Sequence, residues 1–151
     1  MTWNEVIQII AGFIGTLGFG VMFNIKGIRL WAVSVGGLLS WFLFCVFSKF
    51  GISDAINYFM VSFVVSLYAE IMARVLKTPT SAFTVTCLVP LVPGGSLYYT
   101  MAYAIGNNTE KFFEKAVYTL QLAAALALGI IIVTTATRII FSKNKIKNYD
   151  N

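Results

Sequence analysis

The sequence predicts an all-α integral membrane protein with five transmembrane helices, the fourth of which is broken at a Pro-x-x-Pro-Gly-Gly motif. Of the 151 residues, 58% are hydrophobic and only 11% are charged, and the mean hydropathy is +0.81. Soluble proteins carry about 25% charged residues. Apolar runs of about 20 residues recur along the chain, and such a run is long enough for a helix to cross a bilayer core of about 30 Å.

The predicted spans are separated by short polar segments, and we place them at about residues 6–23, 30–47, 56–73, 83–105 and 117–141. The N-terminus lacks the basic region and the small-residue cleavage site of a secretory signal, so the first apolar run is predicted to be retained. No connection is long enough to hold a soluble domain. We therefore predict a single transmembrane domain over residues 1–151, with a basic cytoplasmic tail at about 142–151.

Several function classes are disfavoured by the composition. The chain has no histidine, and Cys45 and Cys87 lie in apolar runs, so neither a metal centre nor a disulfide framework is indicated. No HExxH, GxSxG or paired-aspartate pattern is present, so an intramembrane enzyme ranks last. The net charge of +5 belongs to loops and tail and does not indicate nucleic-acid binding. We predict a protein that is not an enzyme and needs no cofactor.

Two of the spans carry rows of small residues at four-residue spacing, which place the members of a row on one helix face. Such rows let helix backbones approach closely. We favour packing within one subunit, with contact to a second subunit as the alternative. The rows are Gly12, Thr16 and Gly20 beside Ala11 and Gly15 in the first span, and Ala123 and Ala127 beside Ala125 and Gly129 in the fifth.

The third span carries a polar stripe. Ser62, Ser66, Glu70 and Arg74 follow one another at steps of four residues, so a helix presents them on one face, which we expect to be interior. Glu70 followed by Arg74 is the favourable order for an i, i+4 ion pair. A charge within a span by default marks a pathway or functional site. The alternative is a pair at the membrane rim with no further role.

The break in the fourth span lies in residues 87–101, CLVPLVPGGSLYYTM. Pro90 and Pro93 are predicted to end a half-helix over about 83–89, and a second half-helix starts near Gly95 and runs to about residue 104. The second half-helix presents free N–H groups and the positive end of its dipole near mid-membrane, as transporters do toward substrate carboxylates. Ser96, Tyr98 and Tyr99 follow within one turn. A simple proline kink is the alternative.

Three segments also resemble a known family. PLVPGGSLYYTM, the loop RVLKTPTSAF before it, and GTLGFGVMFN near the N-terminus resemble the threonine/serine exporter family, and within it the small five-span membrane domain. The similarity covers the chain from about Trp3 to Phe141 in the same order and spacing.

The resemblance implies export of threonine or serine by a secondary mechanism across the cytoplasmic membrane of a prokaryote, while split-subunit relatives are associated with succinate. It also implies a partner, a larger multi-span membrane subunit, because in long members this domain follows a larger one. The motif positions carried over are Asn24, Thr78, Pro79, Pro90, Pro93, Gly94, Gly95 and Tyr98.

The predicted substrate-binding residues combine these motif positions with our own reading of the break and of the stripe. They are Asn24, Ser66, Glu70, Arg74, Pro90, Pro93, Gly94, Gly95, Ser96, Tyr98 and Tyr99. The expected ligand is a small carboxylate. Three alternatives stay open: a dicarboxylate exporter subunit, a channel-forming subunit with the break as its filter, and an accessory scaffold that stabilises a partner. A homo-oligomer is the alternative to a second kind of subunit.

Charge bias between the two sides predicts the orientation in the membrane. One side holds the first and third loops and the tail, with Lys26, Arg29, Arg74, Lys77, Arg138, Lys143, Lys145 and Lys147. The other side holds only Lys49, Lys111 and Lys115. This bias places the C-terminus in the cytoplasm and the N-terminus outside.

A reporter that is active only in the cytoplasm tests this orientation. Fused after Asn151 it is expected to be active, because the side richer in lysine and arginine stays in the cytoplasm. The same reporter at the N-terminus is the control and is expected to be silent. Activity at the N-terminus with silence at the C-terminus would reverse the topology.

Overall fold

The computed structural model describes residues 3–147, and its regular structure over that range is helical throughout. The helices are α1 (Trp3–Met22), α2 (Ile28–Ser48), α3 (Asp54–Val75), α4 (Thr80–Leu88), α5 (Gly94–Ile105) and α6 (Thr109–Lys147), with a 3₁₀ turn over Val89–Leu91 between α4 and α5.

The five-span prediction is confirmed. Helices α1, α2, α3 and α6 are each long and apolar enough to cross a membrane. Helix α4 with its 3₁₀ turn, together with α5, makes up one more candidate span, which is the fourth along the chain. Its two segments are bent by 66° at the break. The all-α class and the interruption at the Pro-x-x-Pro-Gly-Gly motif therefore hold as predicted.

The fifth predicted span differs most from its helix. Helix α6 starts at Thr109 rather than near residue 117. Asn108 explains the early start, since its side-chain oxygen accepts a hydrogen bond from the Lys111 N–H (3.3 Å), as an N-cap residue does. The helix continues to Lys147 through the first part of the predicted tail. The rest of that tail, residues 148–151, lies outside the described residues.

Three helices end at a non-glycine residue in the left-handed conformation. Asn24 (φ 57°) follows α1, Lys77 (φ 51°) follows α3 and Asn107 (φ 52°) follows α5. In each case the next N–H bonds back to a carbonyl five residues earlier, for example Ile25 to Gly20 at 2.9 Å. This is the Schellman ending, which satisfies carbonyls that the helix leaves unpaired. Asparagine tolerates this conformation better than most residues.

Helix α3 lies at the centre of the bundle and packs against α2, α4 and α6. Its apolar stripe of Val61, Val65, Ala69 and Ala73 is fully buried. The stripe belongs to one cluster with buried side chains of the three neighbouring helices. These are Val33 of α2, Phe83, Cys87 and Leu88 of α4, and Leu122 of α6.

Glycines set the closest helix contacts. A Cβ at Gly37 of α2 would overlap Thr16 of α1, and a Cβ at Gly129 of α6 would overlap Ser62 Oγ of α3. Packing within the subunit, our favoured interpretation, is therefore confirmed for the rows that contain Thr16 and Gly129. Of the neighbouring rows, Gly15 has no atom of another residue within 4 Å of an added Cβ, and Ala123 is exposed. The described part of this chain does not cover Gly15 or Ala123, so these two rows are free to contact another subunit.

Side-chain contacts mark the two ends of the bundle. At one end the Arg29 Nε donates to the Leu76 carbonyl (3.1 Å), which ties the start of α2 to the end of α3. At the other end Lys49 pairs with Glu5 at 2.9 Å, and the hydrogen bond to this carboxylate raises the pKa of Lys49. The C-termini of α1 and α3 and the N-termini of α2 and α4 therefore share the first end.

Substituting alanine for Gly129 is expected to destabilise the protein by about 1–3 kcal/mol, because overpacking a tight contact forces side chains or backbone to shift. Besides Ser62 Oγ, the added methyl group would lie 3.0 Å from the Phe59 carbonyl oxygen. Thermal unfolding in detergent measures the change.

Gly18→Ala is the matched control. Gly18 is helical like Gly129, but it is exposed. Apart from its chain neighbours and the backbone of its own helix, no atom lies within 4 Å of an added Cβ. Alanine there is expected to be neutral or to stabilise by up to about 1 kcal/mol, since it favours helix over glycine. Equal effects of the two substitutions would contradict the close approach of α3 and α6.

Candidate functional site

The break in the fourth span lies beside the midpoint of α1. A methyl group added at Gly12, halfway along α1, would lie 3.6 Å from Pro90 Cβ. Pro90 and Pro93 each lack the N–H that would continue the helix. The chain bridges the gap through short-range bonds: the Val92 N–H donates to the Val89 carbonyl (3.2 Å), and the Gly94 N–H donates to the Val92 carbonyl (2.7 Å).

The N-terminus of α5 presents unpaired backbone donors. The first helical bond runs from the Leu97 N–H to the Pro93 carbonyl (3.0 Å), and Pro93 caps the helix without a side-chain hydrogen bond. The N–H groups of Gly95 and Ser96 therefore have no partner within residues 3–147, as expected for the first turn of a helix. Added Cβ atoms at Gly94 and Gly95 meet nothing within 4 Å.

Helix α5 is open on one side. None of its residues is buried, and it packs mainly along α6, where the hydroxyls of Thr100 and Thr119 lie 3.2 Å apart. Tyr98 and Tyr99 are exposed, with their rings in edge contact. The donors at the break therefore face outward from this chain. In a bilayer such donors need covering protein or water.

The polar stripe of α3 points inward as predicted, since Ser62, Ser66 and Glu70 are buried. The Glu70–Arg74 ion pair also forms, with Arg74 Nη2 2.9 Å from Glu70 Oε2. The Arg74 guanidinium lies 3.7 Å from the centroid of the Phe141 ring, a cation–π contact to α6. The pair lies near the C-terminal end of α3, where Arg74 is partly exposed.

The Glu70–Arg74 pair lines a cavity of about 560 Å³ between α3, α4 and α6. Its volume is in the usual range for small-molecule sites. The other lining residues include Thr80, Ser81 and Thr84 of α4 and Thr134 and Arg138 of α6. The pair is thus both near the end of the bundle and part of a cavity wall.

The predicted site residues fall into four places, the fourth being the buried face of α3 that holds Ser66. Pro90, Pro93, Gly94, Gly95, Ser96, Tyr98 and Tyr99 belong to the break, Glu70 and Arg74 to the cavity, and Asn24 to the turn after α1. Ser66 is buried, and its hydroxyl has no hydrogen-bond partner in the described part of the chain. No residue of the break is among those that line the cavity.

Three of the motif positions have structural roles. Asn24 adopts the left-handed conformation that ends α1, and Pro79 is the N-cap residue of α4. The Thr78 hydroxyl donates to the Leu76 carbonyl (3.3 Å) in the same connection. These residues shape turns at the end of the bundle where the cavity lies.

Sequence reasoning missed Thr84 and Arg138 as cavity residues. Arg138 could have indicated a site, since it is a charged residue near the end of an apolar run. On sequence alone it contributed only to the predicted orientation in the membrane. Thr84 is one threonine in an apolar helix, and nothing in its sequence neighbours distinguishes it.

The comparisons with known proteins give one family. The family model described as "Threonine/Serine exporter, ThrE" matches residues 8–136. Searches of curated proteins and of solved structures find no match to the chain. The match spans most of the chain: most of α1, the whole of α2 through α5, and the larger part of α6. This membrane protein belongs to the threonine/serine exporter family.

Proposed function

We propose that the chain is the small membrane subunit of a two-component secondary exporter of small carboxylate metabolites, with threonine and serine as the foremost substrates. The break at Pro93 and Gly94 forms the substrate site within the membrane. There the Gly95 and Ser96 N–H groups receive the substrate carboxylate, and Tyr98 and Tyr99 lie beside it. Ser66, Glu70 and Arg74 line the route through the bundle, and the turn at Asn24 lies at its end.

The observation that carries this proposal is the open N-terminus of α5. Two unpaired N–H donors lie level with the middle of α1, with glycines that leave the backbone accessible. A helix N-terminus favours an anion through its free donors and its dipole. Transporters place the N-termini of interrupted helices against substrate carboxylates in the same way.

The same observation supports a partner subunit. Donors that face outward at mid-bundle are costly against lipid, because each unsatisfied backbone group there costs several kcal/mol. A second protein over α5 would enclose them together with the substrate. The open small-residue rows at Gly15 of α1 and Ala123 of α6 offer further close contacts for helices of that partner.

The proposed location is the cytoplasmic membrane of a prokaryote, with the N-terminus outside and the C-terminus in the cytoplasm. The charge bias of the loops supports this orientation. In it, the cavity beside Glu70 and Arg74 lies toward the cytoplasm, from which an exporter receives its substrate.

The experiment that tests the proposed site compares an acid with its amide. Gly95→Leu is expected to abolish transport while leaving insertion and assembly intact, because the side chain covers the backbone donors and its Cβ has no neighbouring helix within 4 Å. Uptake of labelled threonine into inverted vesicles measures the loss, and unlabelled threoninamide, which lacks the carboxylate, is expected to compete poorly. Losing a charge-assisted hydrogen bond costs roughly 1.5–3 kcal/mol, or about 10- to 150-fold in affinity.

Gly18→Leu is the control, since Gly18 is equally open but lies on α1 away from the break. If threoninamide is transported as well as threonine, the break holds no carboxylate and the prolines form only a kink. Full transport by Gly95→Leu would favour a scaffold role for this chain.

Reconstitution tests the partner. The purified chain alone in liposomes is expected to export far more slowly than the same chain co-purified with its partner from native membranes. Without the partner, no second protein covers α5 and encloses the substrate site. Labelled threonine, serine and succinate, each with and without a proton gradient, also separate coupled export from a channel, which follows the substrate gradient alone. Equal rates for the chain alone and for the co-purified complex would leave a homo-oligomer as the assembly.

A further inference from the structure

The cavity between α3, α4 and α6 has features of an anion site that is separate from the break. Helix α4 starts at this cavity, with Thr80 and Ser81 of its first turn in the wall. Pro79 caps α4 without a side-chain hydrogen bond, and the first bond into the helix runs from the Phe83 N–H to the Pro79 carbonyl. The N–H groups of Thr80 and Ser81 therefore have no partner among the described residues and lie at the positive end of a helix.

Arg138 adds an uncompensated positive charge. Arg74 is neutralised by Glu70 at 2.9 Å, whereas Arg138 makes no ion pair or hydrogen bond with the described residues and lines the same cavity. Taken together, these three ionised side chains leave one positive charge over. A single carboxylate would balance it.

Thr84 supplies independent support for a ligand. It lies one turn beyond Thr80 on the cavity side of α4 and is only 3% exposed. Its hydroxyl has no hydrogen-bond partner in the described part of the chain. Several other helical threonines, such as Thr86 (2.7 Å to the Ala82 carbonyl), donate to the carbonyl four residues earlier. A buried hydroxyl without a partner costs free energy unless a ligand or water satisfies it.

We propose that this cavity binds the carboxylate of a small metabolite between the Arg138 guanidinium and the N-terminus of α4, with the Thr84 hydroxyl as a further donor. The Glu70–Arg74 pair lines the same cavity, and Arg138 is the lining cation that has no ion-pair partner among the described residues. The site lies at the end of the bundle that the charge bias places toward the cytoplasm. The substrate therefore binds there first and reaches the break afterwards. It rests on the proposed function for its substrate class and shares the Glu70–Arg74 pair with it, whereas Arg138, Thr84 and the N-terminus of α4 belong to this site alone.

The test is equilibrium binding of labelled threonine to the purified full chain in phosphatidylcholine nanodiscs, which contain no anionic lipid. Unlabelled serine, succinate and threoninamide are the competitors. The wild type is expected to bind the acids and to bind threoninamide poorly. Arg138→Gln is expected to weaken binding by about 10-fold or more, because a charge-assisted hydrogen bond is lost.

Two further variants separate charge from geometry. Arg138→Lys keeps the charge and is expected to lose less affinity than Arg138→Gln. Thr84→Val keeps the shape and removes one neutral hydrogen bond, with an expected loss of about 2- to 13-fold. Circular dichroism and size-exclusion profiles like those of the wild type confirm that each variant folds.

Lys26→Gln is the matched control, since Lys26 is an exposed cation at the same end of the bundle that does not line the cavity. Its effect is expected to stay within about twofold, because salt screens exposed charges at a distance. Equal effects of Lys26→Gln and Arg138→Gln would overturn the proposal, as would threoninamide binding as tightly as threonine. An absence of carboxylate binding to the wild type would overturn it too.

The Gly95→Leu variant keeps this proposal distinct from the one about the break. Under the present proposal it still binds threonine in a manner that Arg138→Gln abolishes, even though transport is lost. If Gly95→Leu alone removes all binding, the cavity is not a site and the break is. If transport survives Gly95→Leu but binding depends on Arg138, the break is not the site and the cavity is.

Discussion

Close approach of helix backbones at a few glycines holds this bundle together. Gly37 admits Thr16 between α2 and α1, Gly36 admits Cys87 between α2 and α4, and Gly129 admits Ser62 between α6 and α3. Lipid is as apolar as a leucine side chain, so tight packing rather than expulsion of water drives helix association in a membrane. The contact at Gly129 holds α3 against α6 at Ser62, a member of the polar stripe, and the contacts at Gly36 and Gly37 hold α4 and α1 against α2.

The central position of α3 allows its polar stripe to be buried against protein. Glu70 is 4% exposed and would be costly alone, but Arg74 four residues later pairs with it and rests on the Phe141 ring. Removing either partner of a buried pair leaves a charge without compensation. The pair also fixes one wall of the cavity next to the start of α4. Packing, ion pairing and the cavity are thus consequences of one arrangement of three helices.

The two candidate sites use the same physical device at two depths. Helix α4 starts at the end of the bundle, and α5 starts near its middle, and each leaves backbone N–H groups unpaired at its N-terminus. The proline-glycine motif is what allows a second N-terminus within one span. The first of these termini faces a cavity that this chain builds alone, whereas the second faces outward.

The sequence alone determined the helices, the break and the ion pair. Apolar runs of spanning length, prolines that cannot donate, and a four-residue spacing between Glu70 and Arg74 are local properties, so they are readable without knowledge of the fold. The predicted start of α6 was about eight residues too late. The first turn of α6 is polar and is capped by Asn108, so it precedes the apolar run from which the span was predicted.

Only the tertiary structure decided which helix faces meet. It placed Arg138, more than fifty residues from Arg74 in sequence, in the lining of the same cavity, and it left the Thr84 hydroxyl without a hydrogen-bond partner among the described residues. It also showed that Gly15 and one side of α5 are open while Gly37 and Gly129 are packed. Rows of small residues look alike in sequence. Which row packs depends on the rotation of each helix against its neighbours, and that rotation is set by all the contacts together.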